Sequence, residues 1–282
     1  MIRQISILGT GTMGRGIGYL SALAGYDTVL FDAEPSALEA ARAAIASTLR
    51  KGVEKGKLDA AASDEALARI QLVPELEPAV SGADLIIEAV PENLELKVEL
   101  FGQADLFCGA ETILASNTSS ISITKLASHV ERRDRFIGLH FFNPPHVMKL
   151  IEIVRGERTS EGTVDLARSV AERMGKTAIV VNDAPGFATS RLGVAIGLEA
   201  IRMLEEGVAS AEDIDRAMEL GYNHPMGPLR LTDLIGLDVR LGIAEYLAAT
   251  LGPRFEPPRL LREKVANGQL GRKTGEGFYR WE

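Results

Sequence analysis

Gly9, Gly11 and Gly14 stand between a β-rich run, "ISIL" (5–8), and an apolar stretch of helical period. Few local structures need that spacing. Gly9 permits a tight turn after a strand, Gly11 lets phosphates approach the backbone, and Gly14 lets the following helix pack closely on the strand. The helix N-terminus then turns unpaired N–H groups and the positive end of its dipole toward the turn, which suits an anion. A tight strand–helix turn without a ligand would use the same glycines, so the next acid matters. Asp32 closes the following β-rich run, "TVLF" (28–31). A carboxylate there accepts hydrogen bonds from the ribose hydroxyls of an adenine dinucleotide. The residues after it, "AEPS", bring no base and a second acid, Glu34, which favours NAD over NADP. The candidate cofactor contacts in this stretch are Gly9, Thr10, Gly11, Thr12, Met13, Gly14 and Asp32.

The alternation continues. Further β-rich runs lie at 70–73, 84–90, 112–117, 135–142, 150–154 and 178–181, and several are almost continuously apolar. Strands covered on both faces read this way. The expected fold is α/β, a Rossmann-type, doubly wound and mostly parallel sheet. One connection is unusually long: residues 32–69 read as two helices with a turn near Gly56, a helical insertion larger than such connections need. Beyond "VVNDAPGF" the strands stop. "RLGVAIGLEAIRMLEEGVAS" puts Leu192, Ala195, Ile196, Leu198 and Ile201 on one side of a helix. "SAEDIDRAMELG" reads as a helix capped by Ser210, with Asp213 three residues on and Gly221 past its end. The expected division is a dinucleotide-binding domain over 1–184 and an all-helical domain over 185–282.

Bulk properties narrow the partners. With 31 Lys and Arg against 39 Asp and Glu, the net charge is −8, which disfavours nucleic acid. No apolar run approaches the roughly 20 residues of a membrane span, and the strand pattern starts at once, so no signal peptide is expected. Cys108 is the only cysteine; neither a disulfide framework nor a Cys-rich metal site is expected, and a reducing cytoplasm is the default compartment.

"GLHFFNPPHVMKLIEIV" (138–154) raises the chemical question. His140 precedes two phenylalanines, and Glu152 is a lone acid in an apolar run. One reading is a satisfied core histidine and a strand with one polar face. The other is a proton carrier at a strand end, where such sheets place ligands, with a carboxylate behind it.

A set of motifs in one order favours the second reading: "GTGTMGRGI", "DLIIEAVPENLELKVELF", "ASNTSSISIT", "RFIGLHFFNPPHVMKLIEIV", "DAPGF", "GVASAEDIDRAMELGYNHPMGP" and "GRKTGEGFY". Over essentially its whole length the chain resembles the 3-hydroxyacyl-CoA dehydrogenase family, particularly the short bacterial 3-hydroxybutyryl-CoA dehydrogenases. The resemblance implies NAD-dependent oxidation of an L-3-hydroxyacyl-CoA to the 3-oxoacyl-CoA, and the reverse. It implies that His140 is the base, Glu152 its orienting acid, and Ser119 a hydrogen-bond partner of the substrate's 3-oxygen and of the cofactor site. It places Asn143 at the nicotinamide half of the cofactor and Glu92 and Lys97 among the cofactor contacts. Where the family has Asn in "GF-x-x-N-R", this chain has Ser190, also a donor but shorter. For the insertion the resemblance implies contacts of Thr48 and Lys55 with the CoA phosphates, and Lys51 shares their helical face. Lys273 would reach the cofactor if the C-terminal segment folds back. The apolar faces of "RLTDLIGLDVRLGIAEYLAATL" suggest a homodimer through the helical domain. A dehydrogenase of a hydroxy acid without CoA, and a cofactor-binding relative with little turnover, are the competing readings.

Overall fold

A computed structural model describes all residues, Met1 to Glu282. The chain forms two compact units, Met1–Ala184 and Pro185–Glu282. No helix is long and apolar enough to cross a membrane.

The first unit holds eight strands: β1 (Gln4–Leu8), β2 (Asp27–Phe31), β3 (Ile70–Leu72), β4 (Leu85–Glu88), β5 (Ile113–Ser116), β6 (Phe136–Phe141), β7 (Leu150–Arg155) and β8 (Thr177–Asn182). Each β-rich run of the sequence is one of them. Their order in a single sheet is β3-β2-β1-β4-β5-β6-β7-β8. Every neighbouring pair is parallel except β6 and β7, which are antiparallel. The helices are α1 (Thr12–Leu23), α2 (Pro35–Glu54), α3 (Ala60–Ala68), α4 (Leu76–Val80), α5 (Leu94–Phe107), α6 (Ile123–Ala127) and α7 (Glu161–Arg173).

Both faces of the sheet are covered, which is why its strands read as apolar runs. Ile5, Ile7, Ile87, Ile113, Leu139 and Ile153 join one core with Ile17, Leu38, Ile45 and Val164 from the helices. Their neighbours in the strands, Ile86, Leu114 and Phe136, are buried as well, and Phe101 of α5 meets Phe136 edge-on at 4.7 Å. The insertion is α2 and α3, joined by a turn in which Gly56 takes φ 64°. The chain leaves β1 to build β2 and β3 on one side, then β4 and its successors on the other. That reversal opens a crevice at the carboxyl ends of β1 and β4, where sheets of this kind bind ligands.

The second unit is all helical: α8 (Thr189–Glu205), α9 (Ala211–Gly221), α10 (Pro228–Ile235), α11 (Leu237–Leu251) and α12 (Arg259–Ala266). Its core is built from Val194, Leu198, Ile201, Ile214, Leu229, Leu237, Leu247 and Leu261. Ser210 caps α9 as its side chain accepts from the Asp213 N–H at 3.2 Å. Two expectations need correcting. Gly221 ends α9 rather than following it; Tyr222 is the C-cap, and Asn223 takes the left-handed conformation at φ 62°. Asparagine tolerates that region through its short polar side chain, so the glycine is not required there. On α8 the apolar residues do not form one face: Leu198 and Ile201 are buried, but Leu192 is 64% exposed and Ile196 and Ala195 are also exposed. The helix carries two apolar faces, and its own unit covers one.

Candidate active site

The glycines do what their spacing requires. Gly9 leaves β1 at φ 93°, and its N–H donates to the Phe31 carbonyl at 2.9 Å. A Cβ on Gly14 would lie 1.8 Å from the Gly9 oxygen, so α1 can start this close to the strand only with glycine there. Gly11 is the N-cap of α1 and supplies no side-chain cap. A Cβ at Gly11 would meet nothing within 4 Å. Gly11, Thr12 and Met13 line the crevice, so the start of α1 is open to a pyrophosphate. Asp32 Oδ2 accepts from both the N–H and the hydroxyl of Thr10, each at 2.8 Å, which fixes the carboxylate at the end of β2. These residues line a cavity of about 820 Å³ whose far wall is Ala89, Val90 and Leu96. They fit an NAD molecule with its pyrophosphate on α1 and its adenosine ribose toward Asp32. Arg15, which the sequence reading passed over, also lines this cavity.

His140 and Glu152 face each other directly across the β6–β7 pair. His140 Nδ1 lies 2.7 Å from Glu152 Oε2; Glu152 is 0% exposed and His140 6%. A buried carboxylate against Nδ1 holds the proton on that nitrogen, which makes Nε2 the acceptor of a neutral ring. His140 lines a cavity of about 330 Å³ together with Ser119, Asn143, Glu92 and Lys97. Met13, Ala89 and Val90 wall both this cavity and the nucleotide crevice, so one runs into the other. The structure thus brings His140, Ser119, Asn143, Glu92 and Lys97 together beside the glycine turn. Ser122 is the N-cap of α6, accepting from Lys125 N–H. That relieves Ser119 of a capping role.

Beneath the pocket lies a charged network. Lys97, 1% exposed, donates to Glu88 at 2.5 Å and lies 3.3 Å from Glu92. Glu88 is fully buried and also accepts from the Ser116 hydroxyl at 2.6 Å and the Val90 N–H at 2.8 Å. Burial pushes the Glu88 carboxyl up, against the pull of Lys97, Ser116 and the Val90 amide. Glu92 goes the other way: burial resists, but Thr118, Lys97 and Ser120 together hold its carboxyl below the usual range. Glu92 accepts from the Thr118 hydroxyl at 2.5 Å and the Ser119 N–H at 3.1 Å, so it sets the loop that presents Ser119. Glu88 and Ser116 were missed from the sequence, although a lone acid ending the apolar run "DLIIE" is the same signal that singled out Glu152. Lys97→Met should leave Glu88 buried without its counter-charge. We expect a loss of roughly 3–5 kcal/mol, measurable by urea unfolding; a change under about 0.5 kcal/mol would remove the structural role assigned to the pair.

A third cavity, about 410 Å³, lies between α1, α2 and the loop after β6. Thr12, Arg15 and Tyr19 line it from α1, Thr48 and Lys51 from α2, and Asn143 and His146 from the loop. A Cβ on Gly16 would fall 2.7 Å from Pro145, so that glycine lets the loop lie flush on α1. Lys176 anchors the loop, donating to the carbonyls of Pro145 at 2.5 Å and Met148 at 2.8 Å. Lys55 is not among the lining residues. It is the C-cap of α2, which ends at Glu54, so its position is set by the turn and not by the helix face. In the second unit Ser190 sits in the first turn of α8, and Lys273 donates to Asp238 at 2.6 Å.

Comparison with known proteins agrees with this geometry. The profile of the 3-hydroxyacyl-CoA dehydrogenase NAD binding domain matches residues 4–184, and that of the C-terminal domain matches 186–281. A probable 3-hydroxybutyryl-CoA dehydrogenase of Bacillus subtilis is 46% identical over 282 residues, covering 100% of this chain and 98% of the relative. The mitochondrial hydroxyacyl-coenzyme A dehydrogenase of Sus scrofa is 39% identical, over 100% of this chain and 92% of its own. The crystal structure of an (S)-3-hydroxybutyryl-CoA dehydrogenase from Ralstonia eutropha superposes with a TM-score of 0.97 at 44% identity, covering 100% of both chains. With both domain profiles matched in order and an NAD crevice opening onto a buried His–Glu pair, the chain belongs to the 3-hydroxyacyl-CoA dehydrogenase family.

Proposed function

We propose that the protein interconverts short-chain L-3-hydroxyacyl-CoA and 3-oxoacyl-CoA with NAD. The observation that carries the reading is the His140–Glu152 pair, whose histidine lines a pocket continuous with the nucleotide crevice. In the oxidation His140 Nε2 takes the proton of the 3-hydroxyl, and Glu152 stabilises the imidazolium through Nδ1–H. Bound NAD supplies the acceptor for the hydride that leaves C3. Ser119 hydrogen-bonds the 3-oxygen from the wall of the same pocket. Ser190, in the second unit, stands where the family has an amide, and its role rests on the resemblance alone. Asn143, Glu92, Lys97 and the Gly9–Gly14 turn hold the cofactor. In the reverse reduction the His140 imidazolium returns the proton.

The CoA tail is assigned to the third cavity. An otherwise acidic protein presents Arg15 and Lys51 there beside the Thr48 hydroxyl, and phosphates need such a local positive cluster. This favours a CoA thioester over a free hydroxy acid. The test is an NADH-dependent reductase assay with acetoacetyl-CoA and with a CoA-free analogue. Lys51→Glu should raise KM for acetoacetyl-CoA on the order of tenfold and leave NADH affinity close to wild type. Lys55→Glu should do less. An equal rise in KM for the CoA-free analogue would overturn the assignment.

The exposed apolar residues of the second unit, Leu192 and Ile196 on α8, Leu231, Leu234 and Ile235 on α10, and Val239 on α11, form the surface through which we infer a homodimer. Unpartnered apolar faces of this kind mark association sites. Sedimentation should give twice the 30.3 kDa of the chain; a monomer at micromolar concentration would remove the inference.

A further inference from the structure

Three basic side chains are buried: Lys97, Lys176 and Arg240. Lys97 meets two carboxylates, and Arg240 packs beside Gly193 and Gly197 of α8. Lys176 holds a loop instead. It is 9% exposed and donates to the Pro145 carbonyl at 2.5 Å and the Met148 carbonyl at 2.8 Å. Burial lowers the ammonium from its usual value; the two carbonyl dipoles offset part of that cost. The backbone of Lys176 is fixed from elsewhere. Its N–H donates to the Ala171 carbonyl at 2.9 Å as α7 ends, and β8 starts at the next residue. The side chain therefore reaches the loop from a rigid base.

The loop runs from residue 142 to 149, between β6 and β7. It has few donors with which to close on itself. Pro144 and Pro145 carry no N–H, and the N–H groups of Val147 and Met148 both go to the Pro144 carbonyl, each at 3.0 Å. The Pro145 and Met148 carbonyls need donors from outside the loop, and the lysine supplies them. The same turn rests on α1, where Pro145 lies against Gly16 and the His146 ring meets Tyr19 edge-on at 5.9 Å.

Asn143 is the residue this arrangement serves. It lines both the 330 Å³ cavity beside His140 and the 410 Å³ cavity beside Thr48 and Lys51. Pro144, Pro145 and His146 wall the larger of the two. Lys176 itself lines neither. We propose that Lys176 is a positioning residue for both ligands: by holding the Pro145 and Met148 carbonyls it fixes Asn143 between the two cavities and keeps the wall of the larger one in place. This rests on the proposed function, in which Asn143 meets the nicotinamide half of the cofactor and the larger cavity takes the CoA tail.

The test measures affinity for NADH and for ADP-ribose, which lacks the nicotinamide, together with KM for acetoacetyl-CoA, kcat and Tm, in Lys176→Met. Without the ammonium the two carbonyls must turn to water, and the loop moves with them. NADH should bind about tenfold more weakly and KM for acetoacetyl-CoA should rise about tenfold, the worth of one positioned contact. ADP-ribose, held by the glycine turn and Asp32, should bind as in the wild type. Lys176→Arg, which keeps a cation with several donors, should recover part of both losses. Lys176→Gln, a shorter neutral donor, should show the same split to a lesser degree, and it serves if the Met variant does not fold. A fall in Tm or kcat with NADH affinity and KM unchanged overturns the proposal, since the lysine then only stabilises the sheet. Equal weakening of NADH and ADP-ribose overturns it too. Asn143→Ala tests the underlying reading separately. If that variant binds NADH and acetoacetyl-CoA as the wild type does, the placement of Asn143 fails and the proposal with it. If it weakens both while the Lys176 variants do not, the proposal alone fails.

Discussion

Replacing His140 with Gln is expected to abolish measurable turnover, a loss on the order of 10²–10⁴-fold or more, while NADH still binds. Gln fills nearly the same volume and can donate to Glu152, so the β6–β7 register and the pocket wall persist. What it lacks is a group that gains and loses a proton between Glu152 and the 3-oxygen. The nucleotide contacts lie on the glycine turn and β2, away from the substituted ring. Steady-state reduction of acetoacetyl-CoA gives kcat, and quenching of NADH fluorescence gives the cofactor affinity. A kcat near wild type would remove His140 as the base; a parallel loss of NADH affinity would make it a cofactor contact instead.

Glu152→Gln should lower kcat by about 10³–10⁴-fold with little change in KM. The substituted amide can turn its NH₂ to Nδ1. That would move the ring proton to Nε2, where the neutral imidazole donates and no longer accepts. The imidazolium formed in the transition state would also lose its buried counter-charge. The side chain is 0% exposed and in register with its partner, so an isosteric change disturbs packing little. Thermal unfolding should therefore move far less than activity. If kcat and stability fell together, or if kcat fell less than about tenfold, the carboxylate would be a structural member of the sheet.

The sequence carried the sheet well because its signal is local: strands buried on both faces are largely apolar, as β4, β5 and β6 are, and the edge strands β3 and β8 still kept a short β-rich run. It carried the glycine turn for a similar reason, since a position where a Cβ would overlap the preceding turn admits one residue type. Burial of helix faces was harder. Leu192 and Leu198 look alike along α8, and only the packing of the other helices decides which is covered. Lys97 gave no sign in the sequence of its buried ion pair because its partner Glu88 belongs to a different element, nine residues away. Lys176 and Arg240 escaped notice for the same reason: a basic residue gives no sign in the sequence of being buried. The site residues became legible through the resemblance, and their spatial meaning came from the sheet. His140 and Glu152, twelve apart in the chain, are opposite one another because the sheet reverses direction between β6 and β7.

That reversal between β6 and β7 has a kinetic corollary. In an all-parallel sheet a base and its acid on neighbouring strands would be separated by a crossover helix and could order at different times. Here both belong to one hairpin, β6 and β7, whose backbone ladder and side-chain contact form in the same event. The pair should open as a single cooperative unit. In native-state hydrogen exchange the amides of Leu139–Phe141 and Ile151–Ile153 should share one opening free energy. Any partly unfolded form that loses one member of the pair would lose the other, so an intermediate with an unpaired buried carboxylate would not accumulate.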